Sequence, residues 1–153
     1  MRHARQNGVA VLETDPVTGV HRPGALVRDW AQGNWSGSVE GDQRTVRGGV
    51  CVQDSPAGRY LLYSYFSSAT PSGMADVFMA YGCTYGMLLD MNALEHTYLA
   101  LDVIEDGALT VHHLVKGMEV LDRVKAGQIY PRFVGAADSR DFFYLLRKPT
   151  GGL

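Results

Sequence analysis

The sequence lacks long apolar runs, a strong excess of charge and the common cofactor-binding motifs. No apolar run approaches the roughly 18–20 residues that a membrane-spanning helix needs. The 14 basic and 16 acidic residues leave a formal net charge of −2, which does not favour binding to nucleic acid or to an anionic membrane surface. The GxSxG, Walker and dinucleotide-binding patterns are absent, and no cofactor is predicted.

Cysteine is also scarce, because the chain contains only Cys51 and Cys83. No CxxC pair and no Cys/His spacing typical of a metal site occurs. The two cysteines could form a disulfide if the fold brings them together, but two buried free thiols are the favoured interpretation. His112 and His113 are neighbours in a predicted strand and should face opposite sides. The sequence therefore predicts no metal site.

The length and composition that remain are those of an ordinary globular protein. The chain has 153 residues, 46% hydrophobic and 20% charged, which predicts one domain over residues 1–153 with a real hydrophobic core. The N-terminal stretch "MRHARQNGVAVLETD" begins basic but has no long apolar core, so it is not typical of a signal peptide. We expect either a cytoplasmic protein or a chain that lacks its leader.

Strand patterns dominate the sequence. Apolar and aromatic-rich runs separated by turn residues predict strands at 8–13, 24–30, 44–54, 59–66, 85–90, 97–104, 108–115 and 142–147. The run 59–66 has the composition of a buried strand, and 142–147 is almost wholly apolar, which predicts a central strand. Gly48 and Gly49 mark a possible bulge. The Asp106-Gly107 pair predicts an antiparallel hairpin.

Helices are few. Thr70 followed by Pro71 is a typical helix start, and Gly82 is a natural stop. In the predicted helix, one face carries Met74, Val77, Phe78 and Tyr81. A second short helix is predicted within 117–128. The strand–helix–strand order around Thr70 predicts a right-handed βαβ crossover. The fold class is therefore α+β, with a mixed, largely antiparallel sheet, one βαβ crossover and few helices.

Polar residues gather where the predicted strand 85–90 ends. Asp90, Asn92 and His96 follow an apolar run within a few residues. Ligands often bind beyond the carboxyl ends of parallel strands, and a carboxylate there can act as a base or bind a hydroxyl. The alternative is that Asp90 and Asn92 only form a turn and that His96 is a hydrogen-bonded structural residue.

A second polar segment, "YPRFVGAADSRD", contains Arg132, Asp138 and Arg140. A guanidinium offers the planar, two-donor geometry that suits a phosphate or a carboxylate. Surface ion pairs are the alternative interpretation. Arg44 and Arg47 should face opposite sides of their strand, so one of them could point into a cleft.

The segments "RTVRGGVCV", "RYLLYSYF", "TPSGMADVFMAYGCTYGMLLD" and "PRFVGAADSRDFFYLL" occur in an order that resembles the C-terminal half of the phosphodiester glycosidase family. That family includes the enzyme that uncovers mannose 6-phosphate and bacterial proteins associated with exopolysaccharide. The resemblance covers residues 44–147. It implies that Asp90 matches the family's Asp at the strand end, that Arg132 matches the Arg of the closing stretch, and that Arg47 matches the Arg before the sheet strand. It also implies an extracytoplasmic location.

The chain departs from the family pattern after Asp90. The family has glycines and a hydroxyl residue there, whereas this chain has "MNAL", and the family's earlier Asn-Gly-Gly-Phe-Phe-like turn is not found. The departure leaves open a fragment of a longer protein or a diverged member without glycosidase activity.

Three hypotheses follow, and whether the chain is an enzyme stays open. The first is hydrolysis of a sugar phosphodiester or glycosidic bond in glycan or exopolysaccharide metabolism. Its catalytic residues would be Asp90, Asn92 and Arg132, and its substrate-binding residues would be Arg47, His96, Asp138 and Arg140. The second is a non-catalytic carbohydrate-binding module with the same cleft. The third is an assembly domain in which the first strand, "GVAVLE", and the last, "DFFYLLR", pair with another copy. The enzyme hypothesis requires Asp90 and Arg132 to face one cavity.

Overall fold

The computed structural model describes residues 9–29, 41–135 and 144–147. The sequence predicts a single domain, and the contacts of the chain divide it into two compact units. Unit 1 is Met1–Leu99 and unit 2 is Ala100–Leu153.

Unit 1 is built on a five-stranded sheet, which confirms the α+β class with a largely antiparallel sheet and few helices. The spatial order of the strands is β2-β1-β5-β3-β4, and every ladder between neighbours is antiparallel. The strands are β1 (Ala10–Thr14), β2 (His21–Pro23), β3 (Thr45–Ser55), β4 (Gly58–Ala69) and β5 (Cys83–Met91).

In the part of unit 1 that the structure describes, two α-helices accompany this sheet, α1 (Ala25–Arg28) and α2 (Pro71–Ala80). Helix α2 connects β4 to β5. Both of these strands pair antiparallel with β3, so they run in the same direction with β3 between them. The strand–helix–strand unit expected from the sequence therefore crosses over one intervening strand.

The start of α2 follows its local sequence. The Thr70 hydroxyl accepts a hydrogen bond from the backbone N–H of Gly73 at 3.1 Å, and Pro71 occupies the first turn. This arrangement satisfies one of the N–H groups that the first turn of a helix leaves without a partner. Beyond the last turn, Gly82 adopts a positive φ of 68°, so the predicted start and stop of this helix are both confirmed.

The buried face of α2 is rotated from the predicted one. Met74 and Phe78 are buried as expected, but Val77 and Tyr81 are exposed. The core instead receives Pro71, Met74, Ala75 and Phe78. This set has the same helical spacing as the predicted one and begins one turn earlier, so periodicity alone does not separate the two faces.

The core of unit 1 forms where α2 lies against the sheet. Its buried hydrophobic members are Val9, Val11, Leu12, Val27, Cys51, Ala69, Met74, Ala75, Phe78, Cys83, Leu88 and Met91. Helix and sheet approach closely at two strand glycines. A Cβ built on Gly49 would lie 2.7 Å from Met74 Cε, and one on Gly86 would lie 2.6 Å from Phe78 Cδ2. A side chain at either position would require Met74 or Phe78 to move, so the two glycines allow α2 to pack closely against the sheet.

Two predictions about strands in unit 1 are wrong. Residues 24–30 were expected to form a strand, but Ala25–Arg28 form the short helix α1. The run 59–66 does form most of β4, yet most of β4 is exposed or only half-buried. The reason is its position, because β4 lies at the end of the strand order and α2 packs over the strands nearer the centre.

The favoured interpretation of the cysteines is also wrong. Cys51 in β3 and Cys83 at the start of β5 form a disulfide, with their Cα atoms 5.9 Å apart. Neighbouring strands bring the two residues within the Cα separation that a disulfide requires. The sequence gives no information about this pairing, because it depends on β5 lying beside β3.

The described residues of unit 2 form two hairpins and a 3₁₀ turn. Strands β6 (Ala100–Glu105) and β7 (Ala108–His113) form the predicted antiparallel hairpin. Asp106 and Gly107 both have positive φ values, 50° and 80°, as a type I′ turn requires. The second hairpin pairs β8 (Arg123–Lys125) with β9 (Gln128–Tyr130).

The predicted helix within 117–128 is wrong. Met118–Leu121 form a 3₁₀ turn, and the chain then enters the β8–β9 hairpin. Ala126 and Gly127 turn this hairpin with φ values of 51° and 76°, which a continuous helix does not allow. An apolar spacing of three fits a 3₁₀ turn as well as an α-helix.

The first and last predicted strands do not form the expected edges. Strand β1 pairs with β2 on one side and with β5 on the other, so it is internal. At the other end, residues 144–147 form no strand, and Tyr144, Leu145 and Leu146 are largely exposed. The rest of the predicted run 142–147 lies outside the described residues.

Among the described residues, no helix combines the length and the apolar character needed to cross a lipid bilayer.

Candidate functional site

The polar residues after the predicted strand 85–90 lie at the end of β5, beside an irregularity in its ladder. Gly49 of β3 pairs with Leu88 of β5, and Arg47 of β3 pairs with Met91 of β5. Two steps along β3 therefore match three steps along β5, which marks a bulge in β5. Such a bulge redirects side chains at a strand end. The Asp90 side chain is 59% exposed, whereas its neighbours Leu88 and Met91 belong to the core.

Asn92 turns the chain immediately after β5. Its φ is 76°, a left-handed conformation that asparagine tolerates better than most residues. Its backbone N–H donates to the Val46 carbonyl at 2.8 Å, which anchors the turn to β3. A 3₁₀ turn, Leu94–His96, then brings His96 back towards the end of β5.

One ring nitrogen of His96, Nδ1, makes two contacts. It lies 2.8 Å from the Met91 carbonyl oxygen and 3.4 Å from Asp90 Oδ1. A carbonyl oxygen can only accept, so the short contact assigns the proton to Nδ1. In the neutral ring, Nε2 is then the proton acceptor. Asp90 Oδ1 is itself fixed, because it accepts the Met91 N–H at 2.8 Å.

Tyr63 of β4 completes this cluster, and the sequence analysis did not identify it. Its hydroxyl donates to the Thr97 carbonyl at 3.4 Å. Burial, with a smaller contribution from the negative charge of Asp90, raises the pKa of Tyr63 to about 12. A Cβ on Gly48 would lie 3.1 Å from the Tyr63 hydroxyl, so the glycine leaves room for the tyrosine. A glycine inside a strand was the available signal for this close approach.

Arg47 lies in unit 1 with its side chain fully buried. Its Nε donates to the Ala69 carbonyl at 2.8 Å, its Nη2 to the Gln43 carbonyl at 3.0 Å and its Nη1 to Met91 Sδ at 3.3 Å. Burial lowers the pKa of Arg47. These contacts give the guanidinium a structural role in joining the ends of β4 and β5, and its assignment to a substrate phosphate stays a prediction.

Arg132 lies in unit 2. Its backbone N–H donates to Asp122 Oδ1 at 3.0 Å, and its Cζ lies 5.2 Å from the centroid of the Phe133 ring. Asp138 and Arg140 lie outside the described residues. The structure therefore brings Asp90, Asn92 and His96 together in unit 1, while the predicted cavity shared by Asp90 and Arg132 stays a prediction.

The paired histidines of β7 contact two different carboxylates. His112 Nε2 lies 3.0 Å from Glu105 Oε1 on the exposed surface, and this hydrogen bond lowers the pKa of Glu105. His113 Nε2 lies 3.0 Å from Asp122 Oδ2, where the Asp122 side chain is only 3% exposed. Within residues 9–29, 41–135 and 144–147, no group of three or more His, Cys, Asp or Glu side chains is arranged to hold a metal ion.

Comparison with protein-family models, with curated proteins and with solved structures finds no match for this chain. The resemblance to phosphodiester glycosidases therefore stays a prediction from segment order. The function has to be argued from the geometry at the end of β5.

Proposed function

We propose that this chain is a hydrolase-like domain that acts on a sugar phosphodiester or a glycosidic bond, with its acid/base group at the end of β5. The observation that supports the proposal is the position of His96. Its Nδ1 is held by the Met91 carbonyl and by Asp90, which leaves Nε2 as the proton acceptor. A histidine in this tautomer, oriented by a carboxylate, is suited to general-base catalysis.

In the proposed reaction, His96 Nε2 takes a proton from the water that attacks the scissile phosphorus or the anomeric carbon. Asp90, at 3.4 Å from Nδ1, stabilises the imidazolium that forms. The same proton then passes to the leaving oxygen, so that His96 ends the cycle in its starting form. Asn92 offers an amide to a sugar hydroxyl, and Tyr63 stays protonated near neutral pH because its pKa is about 12.

The arginines complete the proposal where the substrate carries a phosphate. Charge develops on the phosphate oxygens during cleavage, and a guanidinium stabilises that charge without a metal ion. Arg132 and Arg140 are proposed for this role from the sequence, and Asp138 is proposed only as a substrate-binding residue. The buried contacts of Arg47 favour a supporting role, in which it fixes the end of β5 that carries Asp90.

The test is turnover of a library of sugar phosphodiesters and aryl glycosides by the wild-type chain and by His96→Gln. Loss of a general base should lower kcat by roughly 10²–10⁴-fold. His112→Gln is the matched control, because His112 also pairs with a carboxylate but lies in the β6–β7 hairpin. Asp90→Asn should also lower kcat, but by less, since the Met91 carbonyl still holds Nδ1 of His96 at 2.8 Å and only the charge that stabilises the imidazolium is lost.

Three outcomes distinguish the hypotheses. Equal turnover by wild type, His96→Gln and Asp90→Asn would contradict the proposed acid/base pair. Saturable binding of a glycan that weakens in His96→Gln, without turnover by any variant, would favour the carbohydrate-binding module instead. A fall in kcat that His112→Gln matches would show a general loss of folded protein, which circular dichroism spectra of the wild type and the three variants would reveal independently.

A further inference from the structure

The two ends of the five-stranded sheet differ in how they are protected. Strand β2, at one end, has only three residues, and these include the charged Arg22 and end at Pro23. Short length, charge and proline are the features by which natural sheets prevent pairing at an edge. Strand β4, at the other end, has twelve residues, and β3 is the one described strand that pairs with it.

Strand β4 has none of these protective features over its regular part. Its ladder with β3 continues without interruption from Gly58 to Phe66. Arg59 is the one charged residue of this run, and the run contains no proline. The side chains of Tyr60 and Leu61 are 45% and 61% exposed. A long, regular and apolar strand edge is a template for pairing with another strand.

The ladder also shows where such pairing would stop. Between Phe66 and Ala69 the register of β4 shifts relative to β3, which marks a bulge at Ser67 and Ser68. A bulge twists a strand edge away from a flat partner. The part of β4 that is available for pairing is therefore Gly58–Phe66.

We propose that β4 of a second copy of this chain pairs with β4 in antiparallel orientation about a two-fold axis near Leu62. The pairing would join two five-stranded sheets into one continuous sheet. In this register Arg59 lies opposite Tyr65 of the second copy, so no like charges meet along the ladder. The small net charge of −2 adds little repulsion between copies.

A second copy fits this edge better than an unrelated partner does. An antiparallel two-fold arrangement places the same apolar run on both sides of the interface, which makes the edge complementary to itself. A partner recognised by charge would find only Arg59 on this run, and Arg59 already forms an ion pair with Asp54 at 2.6 Å. The inference depends on the sheet edge alone and is independent of the proposed hydrolase activity.

The experiment measures the mass of the chain by sedimentation velocity over a range of concentrations. The wild type is expected to shift from monomer to dimer as the concentration rises. Leu61→Lys places a charge on the exposed edge and is expected to raise the dimer dissociation constant by at least about tenfold. Val120→Lys is the matched control, because Val120 is 73% exposed in the 3₁₀ turn of unit 2 and the substitution adds the same charge.

Three results would overturn the proposal. The first is a wild type that stays monomeric at every concentration. The second is an equal change of the dimer dissociation constant in Leu61→Lys and Val120→Lys. The third is a wild type that forms open-ended polymers instead of a closed dimer. Hydrogen exchange gives a second measurement, since the amides of residues 60–66 should become more protected as the dimer forms. Protection of these amides in a strictly monomeric chain would mean that another part of the chain covers the edge, which also contradicts a second copy as the occupant.

Discussion

Units 1 and 2 contain similar local elements but bury very different amounts of apolar surface. All but one of the buried hydrophobic residues in the described parts of the chain lie in unit 1, and the exception is Met118. Unit 1 also contains the Cys51–Cys83 disulfide. In unit 2, Ile104 and Val124 are 71% and 70% exposed. In the described residues of unit 2, strand ladders and tight turns therefore occur with little buried apolar surface.

This difference predicts unequal stability within one chain. Burial of apolar surface is the main favourable contribution to folding, and regions with few buried apolar contacts open at lower free energy. We therefore expect unit 1 to dominate the free energy of unfolding and unit 2 to show local opening. Its described contacts include a polar one between His113 Nε2 and Asp122 Oδ2, at 3.0 Å.

The largest effect that tests this comparison is expected from Phe78→Ala in α2. Phe78 is 1% exposed, contacts Phe66 in an edge-to-face arrangement and covers Gly86 of β5. Its truncation should lower the free energy of unfolding by about 3–5 kcal/mol. Ile104→Ala is the matched control in unit 2 and should change it by less than about 0.5 kcal/mol. Denaturant unfolding measures both values, and similar losses would contradict the difference between the units.

The second prediction concerns the polar contacts of unit 2. The Asp122 side chain accepts the Arg132 N–H at 3.0 Å and pairs with His113. Asp122→Ala removes an acceptor from two half-buried partners and should destabilise unit 2 by about 1–3 kcal/mol. Hydrogen exchange should show faster exchange in residues 100–135, with the amides of β3 and β5 unchanged.

Glu105→Ala serves as the control for Asp122→Ala. Glu105 also pairs with a histidine of β7, at 3.0 Å, but about half of its side chain is exposed. Because water replaces the lost contact at an exposed site, exchange in unit 2 should stay as in the wild type. If Asp122→Ala instead accelerates exchange equally in both units, the assignment of its effect to unit 2 is wrong.

The sequence predicts those parts of the fold that depend on neighbouring residues. The start of α2 follows from Thr70 and Pro71, and the β6–β7 hairpin follows from Asp106 and Gly107, because each conformation is determined within a few positions. The exposure of β4 is different. Its composition is that of a buried strand, but its burial depends on its place at the end of the sheet, which residues 59–66 do not encode by themselves.

The residues of the candidate site also divide into those that the local sequence predicts and those whose contacts depend on the fold. Asp90 and Asn92 are recognisable because polar residues directly follow an apolar strand. The contact of His96 with Met91 and Asp90 depends on a 3₁₀ turn, and the contribution of Tyr63 depends on β4 lying beside β3. Arg47 shows the converse, since its guanidinium is of a type suited to phosphate binding but donates to the backbone carbonyls of Ala69 and Gln43. The type of a residue suggests which contacts or reactions its side chain can support, but the neighbouring groups in the fold determine which of them it makes.

The smallest predicted effect is the contribution of Tyr63 to the free energy of unfolding at alkaline pH. A second tyrosine of unit 1 serves as its control. Burial, assisted by the charge of Asp90, raises the pKa of Tyr63 to about 12, from an ordinary value of 10.0. The unfolded chain therefore loses this proton at a lower pH than the folded chain does. The contribution of Tyr63 to stability is fully present below pH 10 and is lost as the pH rises towards 12. Because Tyr63 is 36% exposed, solvent screening reduces its size.

Tyr63→Phe should remove this part of the alkaline decline in the free energy of unfolding, measured by denaturant unfolding at a series of pH values. Tyr81→Phe is the control, because Tyr81 is 62% exposed beyond the last turn of α2, and its curve should follow the wild type. Asp90→Asn should shift the phenolate absorbance of Tyr63 to lower pH, since the carboxylate charge that disfavours the phenolate is gone. If Tyr63→Phe and wild type decline identically, Tyr63 is not held in its neutral form beside Asp90, and the polar cluster at the end of β5 loses one of its members.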